Sequence, residues 1–180
     1  YSLMSLVTVV LGQFVFISIR NMIIDTVSKE AAGYYEGLNR FAVFYLLFAS
    51  TLLTVYFLPK LSIAQTNKET RAVFLSYYKI MLPLFVGGLT LVYCLKGFIV
   101  NVLLSKEYLP MTNLFFYQFL GDFFKVASMI LGYQLIAKKQ TTVFIISEIL
   151  SFTILYVSSH IFITQYGVEG VVMAHALTYF

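Results

Sequence analysis

Asp122 and Lys125 stand three residues apart in a stretch, Leu114 to Tyr133, that is otherwise almost as apolar as lipid. A charge at bilayer depth is costly. Its presence there marks a transport path, a binding site or an internal ion pair. On a helix advancing about 100° per residue, Gln118, Gly121, Asp122, Lys125, Ser128 and Gly132 fall on one stripe. Phe116, Phe119, Leu120, Phe123, Ala127, Ile130 and Leu131 cover the other side. Asp122 and Lys125 can reach each other at i,i+3. Two readings follow: a self-neutralised pair that joins helices, or groups lining a hydrated path. The small residues and Gln118 on the same stripe favour the second.

Other apolar stretches repeat the design. Glu36, Asn39, Arg40, Ser50, Thr51 and Thr54 share one face, and Glu36 precedes Arg40 by four residues, the favourable order for a helical ion pair. Ser5, Gly12, Gln13 and Arg20 cluster on another stretch, and Glu148, Ser151, Ser158 and Ser159 on a third. Arg20, Glu36 and Arg40 lie near the ends of their spans, so snorkelling to the interface competes with a cavity role. Glu148 lies about one turn inside its span, where water can reach it. Polar stripes in a membrane must face each other or a cavity. The expected assembly is a central, partly hydrated cavity lined by Arg20, Glu36, Arg40, Gln118, Asp122, Lys125 and Glu148. Two arginines and a lysine suit an anionic cargo such as a pyrophosphate, because guanidinium groups grip phosphate bidentately.

The elements that must position these groups are membrane helices. Hydrophobic residues make up 60% of the chain and charged residues 11%, far from the roughly 25% charged of a soluble domain. A spanning helix takes about 20 apolar residues. Expected spans are 3–24, 31–58, 77–95, 114–137, 143–163 and 168–180, the last cut short. Pro59 closes the second, a polar connector follows it, and 97–110 is a short interfacial segment. Lys60, Lys68, Arg71, Lys79, Lys138 and Lys139 fall on one side of the bundle, against Lys29, Lys96 and Lys106 on the other. The more basic side is cytoplasmic by the positive-inside rule. That distribution accounts for the net charge of +4 without nucleic acid. Both termini lie in apolar runs, as in a piece of a longer membrane protein. Cys94 reads as a small buried hydrophobe. His160 and His175 have no metal-binding spacing, His160 reads as interfacial, and no glycine loop for nucleotides occurs. The chain is therefore expected to be an all-α polytopic transporter, not an enzyme, with no cofactor or metal.

Three stretches carry a family resemblance. One is Leu103 to Met111, Leu-Leu-Ser-Lys-Glu-Tyr-Leu-Pro-Met. The second is Gln118-Phe-Leu-Gly-Asp122-Phe-Phe-Lys125-Val126, continued by Gly132, Tyr133 and Ile136 to Lys138. The third is Gly33-Tyr-Tyr-Glu-Gly37, with Tyr45 and Tyr56 to Ser62. In these the chain resembles the Wzx-type flippases of the multidrug/oligosaccharidyl-lipid/polysaccharide (MOP) exporter superfamily, within it the O-antigen and lipid III translocases. The resemblance implies twelve helices in two six-helix lobes, with this chain as most of the C-terminal lobe and an N-terminal lobe elsewhere in the protein. It implies a cargo of oligosaccharide on undecaprenyl pyrophosphate, flipped outward across the bacterial inner membrane by alternating access. A polysaccharide polymerase and a chain-length regulator are the implied neighbours. The rival readings are a drug or cation exporter of the same superfamily, which would want an acidic cavity, and a membrane polymerase or ligase, which would want a long polar outer loop.

Overall fold

The computed structural model describes residues 2–180; the side chains at positions 2, 3 and 103 lie outside that description, including Leu3 of the first expected span and Leu103 of the motif. Every regular element among the described residues is helical, and five helical stretches are long and apolar enough to cross a bilayer. With no water in the hydrocarbon to satisfy backbone groups, a spanning chain of this composition closes its hydrogen bonds within helices. The protein is an all-α, multi-pass membrane protein.

Helix α1 covers Ser2–Thr26 and turns at Val27–Ser28 into α2, Lys29–Leu52. Ser28 caps α2, its hydroxyl accepting the Ala31 N–H at 3.1 Å. Where the sequence predicts a stop at Pro59, the chain instead continues through a π-helical segment, Leu53–Phe57, into α3, Leu58–Ile63. Proline lacks an N–H and its ring crowds the preceding turn of an α-helix. The wider π turn, in which the Leu58 N–H bonds to the Leu53 carbonyl, leads into the short helix with Pro59 in its first turn, where the missing N–H does no harm.

The polar connector also shrinks. Thr66 and Glu69 form a reciprocal cap: Glu69 N–H donates to the Thr66 hydroxyl at 3.2 Å, and the Glu69 carboxylate accepts the Gln65 and Thr66 N–H groups at 2.8 and 3.2 Å. Helix α4 therefore begins at Asn67, well before the expected 77, and runs to Cys94 with Pro83 inside it. Cys94, expected to be buried, is exposed at the last residue of α4, because an apolar run at the end of a membrane helix need not face the protein interior. Helix α5, Lys96–Leu103, and a 3-10 segment, Lys106–Asn113, make up the short region before α6, Phe115–Ala137. Helices α7, Thr141–Tyr166, and α8, Val168–Tyr179, complete the bundle.

Large apolar side chains such as Phe44, Val55 and Ile63 stay outside, as a lipid-solvated surface allows. One core joins α2, the π segment, α4 and α6 through Leu38, Phe57, Tyr77, Met81, Phe115 and Ile130. The Tyr77 hydroxyl in it donates to the Val126 carbonyl. A second core joins α1, α2, α7 and α8 through Ile19, Ile23, Ala32, Tyr35, Ile163 and Val171. Helix α8 packs against both α6 and α7. Two glycines permit the close approach. A Cβ at Gly170 would lie 2.3 Å from the Phe162 carbonyl oxygen, and one at Gly121 would lie 2.4 Å from His175 Cδ2 and 3.0 Å from Ala176 Cα. Lys138 Nζ donates to the Ala64 carbonyl, placing the two basic connectors at the same end of the bundle.

Gly121→Ala is therefore expected to lose about 1–3 kcal/mol by overpacking. Gly87→Ala, where a Cβ meets nothing within 4 Å, should be neutral or slightly stabilising. Thermal unfolding of the two variants of the full-length protein in detergent checks this; equal melting temperatures would refute a tight α6–α8 contact.

Candidate functional site

Asp122 is fully buried, yet both carboxylate oxygens are occupied. Oδ1 lies 2.9 Å from His175 Nε2 on α8. Oδ2 accepts the Tyr45 hydroxyl of α2 at 2.5 Å and the Gln118 amide, one turn earlier on α6, at 3.0 Å. Three helices meet on one carboxylate. The Tyr45 ring is held edge-on by Phe41, Phe85 and Phe119. A buried charge persists only when paired and hydrogen-bonded, and this one is. The expected direct contact of Asp122 with Lys125 is not made: His175 is the only basic side chain within 4 Å of the Asp122 carboxylate among the described residues. The geometry explains the difference, since donors from α2, α6 and α8 take the oxygens first.

Lys125 instead lies with its Nζ 5.1 Å from the centre of the Tyr179 ring, a cation–π contact. There it borders an open cavity of about 750 Å³ lined by α1, the π segment, α3, α6, α7 and α8. Glu148 is on the same wall set, with the hydroxyls of Ser5, Thr8, Thr54, Ser128, Ser147 and Ser151 and the phenols of Tyr133 and Tyr179. Phe144 and Phe152 supply apolar surface. Tyr133 OH pairs with the Thr54 hydroxyl at 2.9 Å. Thr8 Oγ1 is buried and has no hydrogen-bond partner among the described residues. The lining residues come from the beginnings of α1 and α7 and the ends of α6 and α8, so the cavity occupies the half of the bundle nearer the basic connectors.

The third group is elsewhere. Arg20 Nε pairs with Glu36 Oε1, joining α1 to α2, and Arg40 Nη2 stands 4.0 Å from Glu36 Oε2. These residues sit toward the opposite end, near the Val27–Ser28 turn.

The seven residues expected to share one cavity thus divide three ways. Lys125 and Glu148 line it; Gln118 and Asp122 form the interhelical junction beside it; Arg20, Glu36 and Arg40 lie off its walls. A stripe on a helix fixes a direction around the axis but not which neighbour lies at that depth. Tyr45 and His175, the main partners of Asp122, were not singled out as site residues, because their relation to it exists only across helices. Thr54 stands on a stripe and Tyr133 in a motif read from the sequence, but Thr8, Thr178 and Tyr179 carry no signal there, because such residues are ordinary in membrane helices.

No protein-family model matches the chain, and no solved structure matches it. Among curated proteins the chain is similar to the lipid III flippases of Escherichia coli strain K12 and Shigella flexneri. Identity to each is 30% over 179 residues, which is 99% of this chain and 43% of the relative. The chain spans less than half the length of these relatives. Both are named as flippases, which are transporters. The resemblance to the Wzx-type flippases, read above from short motifs, is borne out over nearly the whole chain.

His175→Ala is expected to destabilise the protein by about 1.5–3 kcal/mol, the scale of a hydrogen bond to a charged group. Asp122→Asn introduced with it should recover part of that loss. A double-mutant cycle on thermal stability reads the coupling; strict additivity would mean that the two side chains do not act together.

Proposed function

We propose that this chain is one helical lobe of a flippase that carries an oligosaccharide on a polyprenyl diphosphate, an O-antigen unit or lipid III, across the bacterial inner membrane by alternating access. The observation that carries the reading is the cavity bordered by Lys125 and Glu148, whose mostly apolar wall carries several serines, threonines and tyrosines. Sugars are held by many neutral hydrogen bonds and by aromatic faces, and this wall offers both. Lys125 supplies a positive charge for the diphosphate or an acidic sugar, through the charge-assisted bonds that ammonium groups make. Glu148 accepts hydrogen bonds from sugar hydroxyls. The positive-inside rule puts the basic connectors, and the cavity near them, on the cytoplasmic side, where a lipid-linked cargo bound for the outer leaflet is loaded. An exporter of cationic drugs fits less well, because the cavity balances one acid with one base instead of gathering acids.

Lys125→Ala should lower transport at least about tenfold at matched protein levels, the scale of one charge-assisted bond. Glu148→Gln should lower it less, while Arg20→Ala should act mainly through reduced protein level. Surface-glycan complementation in cells lacking the native transporter checks all three. Full activity of both cavity variants would refute the cargo site.

Orientation has its own test. A cysteine at position 29 should be labelled by an impermeant reagent added to intact cells, and one at position 68 should not. The reverse pattern would invert the proposed topology.

A further inference from the structure

A second concavity, of about 560 Å³, opens between α2, α5 and the 3-10 segment, and its outer wall includes Phe41, Val43, Phe44, Ile99 and Leu104. Arg40 is the one polar side chain among its described lining residues. That side chain is 84% exposed. Its nearest carboxylate oxygen is 4.0 Å away, beyond hydrogen-bond reach, and belongs to Glu36, which Arg20 already engages. Two cations share one anion, so the cluster keeps one positive charge. Arg40 makes no hydrogen bond to the described protein. A guanidinium that shares its one carboxylate with Arg20, beside an apolar trough, calls for an amphiphile: an anionic phosphate for its fork of donors and hydrocarbon for the walls.

We propose that this groove binds a resident anionic phospholipid of the bilayer, its phosphate on Arg40 and an acyl chain running inward along Val43 and Phe44. The groove shares no lining residue with the cavity. A lipid seated there keeps its headgroup off the transport path, and this favours a bilayer lipid over the cargo itself. Position agrees with this. The 3-10 segment and the first residue of α6 bound the groove at the bundle end, so Arg40 lies toward the headgroup layer, while Val43 and Phe44 lie a turn farther in. The inference is independent of what the cavity carries.

The test uses the full-length protein in detergent, with phosphatidylglycerol and phosphatidylcholine of identical chains, read by native mass spectrometry. Wild-type protein should retain one phosphatidylglycerol about fivefold more strongly than phosphatidylcholine, the factor expected for a single cation at a lipid headgroup. Arg40→Ala should abolish that preference and Arg40→Lys should keep part of it. Val43→Trp, which fills the groove at an exposed position without changing charge, should release the lipid. Lys60→Ala, a cation elsewhere, should leave the preference intact. Each variant is compared at matched thermal stability. Three results would each overturn the proposal: unchanged preference in Arg40→Ala, undiminished retention in Val43→Trp, or displacement of phosphatidylglycerol by an equimolar polyprenyl diphosphate, which would make the groove a cargo site.

Discussion

A carboxylate cannot stay ionised inside a helical bundle unless the surroundings replace the water it has lost. Asp122 is that carboxylate, and its three partners determine much of the geometry around it. Tyr45 brings α2 to α6, and His175 brings α8 to the other side. Gln118 fills the remaining position from the same helix. The contact with α8 is close only because residue 121 has no side chain; a Cβ there would collide with the ring that holds the carboxylate. Gly121 and Asp122 therefore act as one device: the glycine admits the histidine, and the aspartate binds it. Lys125, a turn onward, has no carboxylate within 4 Å among the described residues and turns to Tyr179 and the cavity.

The character of the fold was legible because lipid imposes a strong constraint. Runs of apolar residues at spanning length close their hydrogen bonds within helices, so the all-α, multi-pass class follows from hydropathy. The errors lie where local hydrogen bonding overrules composition. Pro59 read as a terminus, but the π turn before it carries the helix to Ile63. Residues 67–76 read as a polar linker, but the reciprocal cap of Thr66 and Glu69 starts a helix there. Polarity shows that a segment leaves the membrane; it does not show that the segment leaves the helix.

The candidate site was less legible, for a related reason. Of the stripe read on α6, Lys125, Ser128 and Gly132 reach the cavity, but so does Leu131, which periodicity put on the other side. Periodicity could not rank polar groups by depth, and it gathered into one imagined cavity charges from opposite ends of the bundle. Arg20 and Glu36 neutralise each other between α1 and α2, a local solution available to any two helices joined by a short turn. Partners on distant helices, such as His175 for Asp122, carry no spacing signal, since 53 residues separate them in sequence.

The charge balance of the cavity bears on how a carrier of this kind could turn over. A wall concentrating three cations would hold a diphosphate strongly in one conformation. A binding step that deep slows release, and tight binding shifts a conformational equilibrium only by the difference in affinity between the two states. The cavity instead offers one cation, one anion and many hydroxyls. On the proposed reading, such a wall exchanges hydrogen bonds with a sugar at little net cost, as water would. The helices around it can then change position without first breaking a dominant ion pair. Two interhelical pairs lie outside the cavity, at Asp122–His175 and Arg20–Glu36, and join α6 to α8 and α1 to α2. Segregating structural charge from cargo-facing charge lets one bundle be firm in its joints and permissive on its inner wall.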